Sequence, residues 1–214
     1  MVARSPLDPS AADGGQFLDQ SDLDVTFDPQ FLSPPDAARL FDELYATIPW
    51  RAESIQMFGR TVPVPRLQSW HGDPGARYRY SGLLLEPEPW TAPLLEIRKR
   101  LHARRSEIEF DSVLVNLYRD GRDSMGWHAD DESELGAEPE IASVSLGATR
   151  TFQLRHRTQK DLPRVDLDLT AGSLLWMAGK TQKCWQHALP KRGGKARLGA
   201  RINLTFRQIH SRRG

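Results

Sequence analysis

The 214-residue chain has one cysteine, Cys184. A single thiol excludes an internal disulfide framework and any zinc module built on cysteine pairs, and it suits a reducing compartment. No apolar run approaches the roughly 20 residues needed to cross a bilayer, so no membrane association is expected. The opening "MVARSPLDPSAADGGQ" has no apolar stretch to serve as a secretory signal. An excess of one charge is also missing. Lys and Arg number 29 against 28 Asp and Glu, so no net field draws in a polyanion. Histidines number only six, and no repeat or composition break marks a second domain. These absences describe one soluble cytoplasmic domain (nuclear in a eukaryote), expected to be monomeric.

What is present is unevenly placed. Acids crowd the first thirty residues, none follows Asp168, and arginine and lysine accumulate toward the end. Residues 1–23, rich in Asp, Pro, Ser and Gly, are expected to be a mobile tail. In "FLSPPDAARLFDELYATIPW" Ser33 can cap a helix, the prolines suit its first turn, and Ala38, Leu40, Phe41, Leu44 and Tyr45 recur at helical spacing. "APLLEIRKRLHARR" reads as a second amphipathic helix. Between them, "SIQMFGRTVPVPRLQSWHGDPGARYRYSG" reads as short strands and turns. From Asp111 the strand signals multiply: "SVLVNLY", "ASVSLG", "TFQLRHR", "VDLDL", "SLLWM", "CWQHAL" and "RINLTFR". So many short strands point to a closed barrel or a two-sheet sandwich. The expected domain spans 24–214, with helices and a recognition region over 24–110 and the β core over 111–209.

The stretch "GWHADDESELG" carries the first chemical signal. In an extended segment, residues two apart point the same way, so His128 and Asp130 can offer one nitrogen and one oxygen to a single ion. Such a pair also describes an ordinary acidic loop. A third ligand must come from elsewhere, from His71, His102, His156, His187 or His210. His187 lies on a β segment between apolar neighbours, whereas the others fall in turns, a helix, a charged strand end or the tail. Two imidazoles and a carboxylate on one face form the triad of non-haem Fe(II) oxygenases, and zinc accepts the same ligands. A second signal lies in "ARINLTFR". Arg201, Asn203, Thr205 and Arg207 alternate on one face of a strand whose other face is Ile202, Leu204 and Phe206. Two inward guanidiniums need anions, and a dicarboxylate satisfies both. A solvated basic edge strand is the plain alternative.

The ordered set N-x-Y, H-x-D, a distant H and R-x-N-x-T-x-R, within "NLYRDGRDSMGWHADDESELG…IASVSLGATRTFQLRH…GSLLWM…CWQHALP…RINLTFR", resembles the AlkB-type Fe(II)/2-oxoglutarate dioxygenases. These enzymes reverse alkylation damage in nucleic acids, and the likeness runs from about Ile48 to Ile209. The resemblance implies a double-stranded β-helix (jelly-roll) core, an α+β, β-rich fold with N-terminal helices packed on one side. It implies Fe(II) held by His128, Asp130 and His187, with 2-oxoglutarate and O2 as co-substrates. Arg201, Asn116 and Tyr118 would grip the far carboxylate of 2-oxoglutarate. Arg207 would pair with the carboxylate nearer the metal, assisted by Asn203 and Thr205. The implied reaction hydroxylates an N-methyl group, which then leaves as formaldehyde, with succinate and CO2 as co-products.

The region before Asp111 is similar to the nucleotide-recognition region of the duplex-active animal members. Phe58, Gly59 and Arg60 match their intercalating finger, and Arg66 would reach a phosphate or the opposite strand. Tyr78 and Tyr80 would line the pocket of an extruded base, and Trp70 reads either as a wall of that pocket or as a core residue. Asp131 and Glu132 would face the exocyclic amine of a cationic base such as N1-methyladenine or N3-methylcytosine. Trp127, just before the first ligand, matches instead the members that prefer single strands and also act on RNA. DNA in both strand forms is the expected substrate, with RNA as the alternative. Two other readings stand beside it: a relative that acts on methylated protein or a small molecule, and a non-catalytic nucleic-acid-binding β-helix domain. Replacing Phe58 by Ala is expected to lower turnover on methylated duplex more than on the matching single strand, because only the duplex must be unstacked. Equal losses on the two would remove the finger role.

Overall fold

The structure is a computed structural model that describes residues 7–8, 16–18, 20–57, 59–76, 78–80, 83–193 and 198–210. In chain order its elements are β1 (Leu7–Asp8), β2 (Gln16–Leu18), β3 (Asp24–Asp28), α1 (Pro34–Thr47), β4 (Arg51–Met57) and β5 (Arg60–Gly72). There follow β6 (Tyr78–Tyr80), β7 (Leu83–Leu85), α2 (Ala92–Arg104), β8 (Ser112–Tyr118), β9 (Met125–His128) and β10 (Ile141–Gly147). The chain continues through β11 (Arg150–His156), β12 (Val165–Leu169), β13 (Leu174–Ala178), α3 (Thr181–Cys184), β14 (Trp185–Leu189) and β15 (Arg201–Arg207).

Among the described residues the strands form a large sheet, β1-β2-β3-β13-β10-β15-β8-β5-β4, and a smaller one, β12-β11-β14-β9. One apolar cluster joins the two. Phe152, Leu154, Leu167, Trp185 and Leu189 of the small sheet pack with Ile141, Leu175 and Met177 of the large one. A second cluster seats the helices on the outer face of the large sheet, where Leu40, Leu44, Leu94, Ile97 and Leu101 meet Val113, Val115, Ile202, Leu204 and Phe206. This is the jelly-roll core with helices on one side that the resemblance implied. Helix α1 begins where the sequence placed it: Ser33 caps the first turn, its hydroxyl accepting the Asp36 N–H at 3.3 Å, with prolines directly after.

Three expectations need correction. Residues 1–23 do not all lie outside the fold: β2 pairs with β3, and Leu18 and Leu23 are buried in the core. Their apolar side chains outweigh the polar residues around them. Cys184 ends the short helix α3 rather than opening a strand. The segment after Arg51 is one long hairpin, not a set of short strands. Leu67–Gly72 of β5 pairs with β8, while the earlier half of β5 has only β4 beside it. Pro63 and Pro65 are tolerated because that half has a free edge. The hairpin therefore projects beyond the sheet, and its turn carries Gly59 at φ +74°.

Gly147 closes β10 at φ +80°, and a Cβ there would meet the Ala200 carbonyl at 2.5 Å and the Phe41 ring at 2.6 Å. Gly147→Ala is expected to lower stability by about 2–4 kcal/mol in urea unfolding, from backbone strain plus overlap. Gly199→Ala, whose nearest neighbour would be the Ala148 Cβ at 3.8 Å, should cost less than about 1 kcal/mol. Equal effects would contradict the packing at Gly147.

Candidate active site

His128 and His187 are direct cross-strand partners on β9 and β14, with ring centroids 4.1 Å apart. Asp130 follows two residues after His128, and one donor atom from each of the three lies within 4.8 Å of the other two. Nδ1 of His128 is 2.9 Å from the Gly126 carbonyl, so it carries the proton and leaves the Nε2 lone pair for a cation. Gln182 on α3 accepts the Asp130 backbone N–H at 2.9 Å and fixes the turn that aims the carboxylate. Burial disfavours the charged form of Asp130, but the Arg207 guanidinium at 2.8 Å outweighs it and holds the carboxyl well below the usual range. Burial, with His128 alongside, pushes His187 down to about 3, so the ring is neutral and ready to bind a metal. Side-chain chemistry and placement both fit an Fe(II) ion.

A second cluster, Asp22, His156 and Cys184, is equally tight but fails that test. Nδ1 of His156 accepts backbone N–H bonds from Gln159 at 2.9 Å and Thr158 at 3.3 Å. The ring proton is therefore on Nε2, which offers a cation a donor instead of a lone pair.

Behind the triad lies a chamber of about 40 Å³, lined by Asn116, Tyr118, Ser143, Arg201, Asn203, Thr205 and Arg207 together with the three ligands. Strand alternation on β15 turns its polar face inward and its apolar face to the helices, as the spacing required. Arg201 is 2% exposed. Its Nη2 donates to Ser145 at 2.8 Å and its guanidinium lies 5.3 Å from the Tyr118 ring centre. Among the described residues its Nε has no partner and no carboxylate pairs with it. Burial pushes this guanidinium down to about 10, the mark of a cation short of counter-charge. A carboxylate from outside the chain answers that deficit, so the chamber fits a dicarboxylate.

The sequence model of the 2OG-Fe(II) oxygenase superfamily matches residues 24–207. The chain is 42% identical over 183 residues to the DNA oxidative demethylase ALKBH2 of Mus musculus, covering 81% of this chain and 75% of that protein. It is 38% identical over 190 residues to the alpha-ketoglutarate-dependent dioxygenase alkB homolog 3 of Mus musculus, covering 85% of this chain and 65% of that one. The chain belongs to the AlkB-type 2OG-Fe(II) oxygenases. The solved structure of OsALKBH1 superposes with a TM-score of 0.60 at 18% identity, covering 91% of this chain and 99% of that one, which speaks to the fold alone. The chain spans less than two thirds of the length of the alkB homolog 3 relatives it matches, 63–65%. The family's metal and co-substrate, Fe(II) and 2-oxoglutarate, match in chemistry the triad and the chamber behind it.

Not every expected contact holds. Arg207 pairs with Asp130, so its first partner is a metal ligand. Asn203 turns its amide to Ser143 and accepts from Thr205, which makes both residues supports of the chamber wall. Arg66 does not reach outward to a phosphate. It is 5% exposed, and its Nε donates to the Asn116 Oδ1 at 2.8 Å. Gln68 donates to the same oxygen, leaving the Asn116 amide NH2 as the group still able to donate. A cleft of about 700 Å³ opens beside the chamber, bordered by Arg66, Trp70, Glu132, Lys191 and Trp127 among others. Glu132 faces it, but Asp131 is drawn aside by Arg157 at 2.8 Å. Gly59 and Arg60 are exposed. Phe58 and the side chains of Tyr78 and Tyr80 lie outside the described residues.

Sequence reasoning missed Gln182 and Arg150. Arg150, also 2% exposed, donates to the carbonyls of Asp120, Asp123 and Pro190, tying the loop after β8 to the end of β14. Gln182→Leu is expected to weaken Fe(II) binding about 10- to 100-fold in a chelator competition while the fold persists. Unchanged affinity would deny Gln182 its role. Arg201→Met should weaken 2-oxoglutarate binding to the metal-loaded protein by roughly 100-fold, the loss of two charge-assisted bonds, with metal affinity little changed. Calorimetry under nitrogen measures both.

Proposed function

We propose that the protein removes N-methyl groups from nucleobases such as N1-methyladenine and N3-methylcytosine in DNA by oxidation. The observation that carries this reading is the cleft of about 700 Å³ that runs to the metal ligands and has an acid, Glu132, at its wall. A single base is flat, apolar on its faces and polar at its edge. Trp70, Leu114, Val64 and Met125 offer apolar walls to such a ring, and Glu132 offers charge to its edge. N1-methyladenine and N3-methylcytosine are cations, so a carboxylate in the wall favours them over neutral bases. The similarity to relatives named DNA oxidative demethylases supports the same substrate class.

Fe(II) and 2-oxoglutarate, when bound, supply with O2 the oxidant that hydroxylates the methyl carbon, yielding succinate and CO2. The chain's own residues do the rest. His128, Asp130 and His187 would hold the iron, and Arg201 with the Asn116 amide would anchor the distal carboxylate. Leu114, Met125 and Phe152 line the chamber with apolar surface and limit water near the reacting carbon. The hydroxymethyl group then loses its hydroxyl proton to solvent and breaks its bond to the ring nitrogen, which keeps the electron pair, releasing formaldehyde and the neutral base. A base in a duplex must first leave its stack, and Phe58, between β4 and β5 in the sequence, would take its position.

Formaldehyde release from methylated oligonucleotides, dependent on Fe(II), 2-oxoglutarate and O2, tests the reaction. Glu132→Gln is expected to cut the preference for N1-methyladenine over neutral N3-methylthymine, as a ratio of kcat/KM, about tenfold. An unchanged ratio would remove Glu132 from recognition. Turnover of methylated peptides, with none on oligonucleotides, would overturn the substrate class.

A further inference from the structure

Outside the chamber, the small sheet carries a side-chain group with no assigned role. Arg155 pairs with Gln186 across β11 and β14, next to the rung where His187 faces His128. Because side chains alternate, the histidines turn into the chamber while Arg155, Gln186 and Trp127 lie on the outer face. The Arg155 Nε and Nη2 donate to the Gln186 Oε1 at 3.3 and 3.0 Å, and its guanidinium carbon stands 4.1 Å from the centre of the Trp127 ring. Trp127 also borders the cleft and is directly bonded in sequence to the metal ligand His128.

The charge balance here is unusual. Several other exposed arginines have acids: Arg157 has Asp131, Arg164 has Asp166, Arg119 has Asp123 and Arg122 has Asp120. Arg155 is held instead by a neutral amide and an aromatic ring, and no carboxylate pairs with it among the described residues. Its orientation is fixed while its charge stays uncompensated, and its Nη1 has no hydrogen bond among the described residues. A fixed cation stacked on an indole at the mouth of a cleft suits two adjoining groups: an anion on the guanidinium and a flat ring on the aromatic. A nucleotide has both. In a duplex each base already has neighbours on its faces, so a stacking surface rewards only an unstacked base.

We propose that Trp127 and Arg155 form a platform that receives the nucleotide flanking the target base in a single strand, with its base on the indole and its phosphate on the guanidinium. The proposal rests on the nucleic-acid reading above. The platform confers preference for single strands and takes no part in the oxidation.

The test is equilibrium binding under nitrogen, using the Fe(II)- and 2-oxoglutarate-loaded protein and a labelled single-stranded oligonucleotide bearing one N1-methyladenine. An abasic residue is placed in turn on each side of the target. With the wild type, one of the two abasic positions is expected to weaken binding roughly tenfold, as expected for one base stacked on an aromatic ring. In Trp127→Ala that penalty should fall below about twofold, and Trp127→Phe should restore much of it where Trp127→Leu does not. Arg155→Gln should lower the slope of log affinity against log salt by roughly 0.7, one phosphate contact on a single strand. Equal abasic penalties in the wild type and Trp127→Ala, or no penalty on either side, overturn the platform. A wild-type protein that binds the oligonucleotide and releases formaldehyde without a flank penalty sinks the platform alone, whereas one that does neither sinks the nucleic-acid reading itself.

Discussion

Buried positive charge on β15 is the constraint around which the rest of the structure is arranged. Arg201 and Arg207 lie on one face of a strand flanked on both sides in the large sheet, and both are almost wholly enclosed. Removing a guanidinium from water is costly unless an anion accompanies it. Arg207 has one, the carboxylate of Asp130, and the same contact keeps that carboxylate ionised for a metal. Arg201 has the Ser145 hydroxyl and Tyr118 beside it. Among the described residues no carboxylate pairs with Arg201, which lines the same chamber as the triad. A dicarboxylate reaching from a metal in the triad to Arg201 would complete the electrostatics of the interior.

The two sheets divide the work. The large sheet supplies the guanidiniums and takes the helices on its outer face, so β15 is held rigidly from behind by Leu40, Leu44 and Ile97 packed on Ile202, Leu204 and Phe206. The small sheet supplies both histidines as cross-strand partners, and the β14–β9 register shifts between His187 and Leu189, directly beside them. Helix α3, only four residues long, links the small sheet to the metal turn through Gln182. Arg150 does the same for the loop after β8.

Much of this was legible in the sequence, and the reasons are local. Alternation is a period-two property of one strand, so R-x-N-x-T-x-R announced its polar inner face, and H-x-D announced two ligands on one side. Histidine 187 stood out by its apolar neighbours, but family likeness was needed to choose it over four others. What stayed hidden depended on contacts between distant segments. Arg66 lies in a stretch full of prolines and polar residues and reads as exposed; only the pairing of β5 with β8 brings it to Asn116. Asp131 reads as facing the substrate until Arg157, 26 residues later, takes its carboxylate. Leu18 lies in a polar tail by composition, yet one short strand paired with β3 carries it into the core.

The central claim is that His128, Asp130 and His187 converge on one ion that a dicarboxylate reaches from the Arg201 side. Anaerobic titration with Fe(II), followed by optical absorption with and without 2-oxoglutarate, tests it most directly. The account expects one iron per chain and a visible charge-transfer band that needs both iron and 2-oxoglutarate and vanishes in Asp130→Ala. Iron binding that survives Asp130→Ala with the band intact would contradict it.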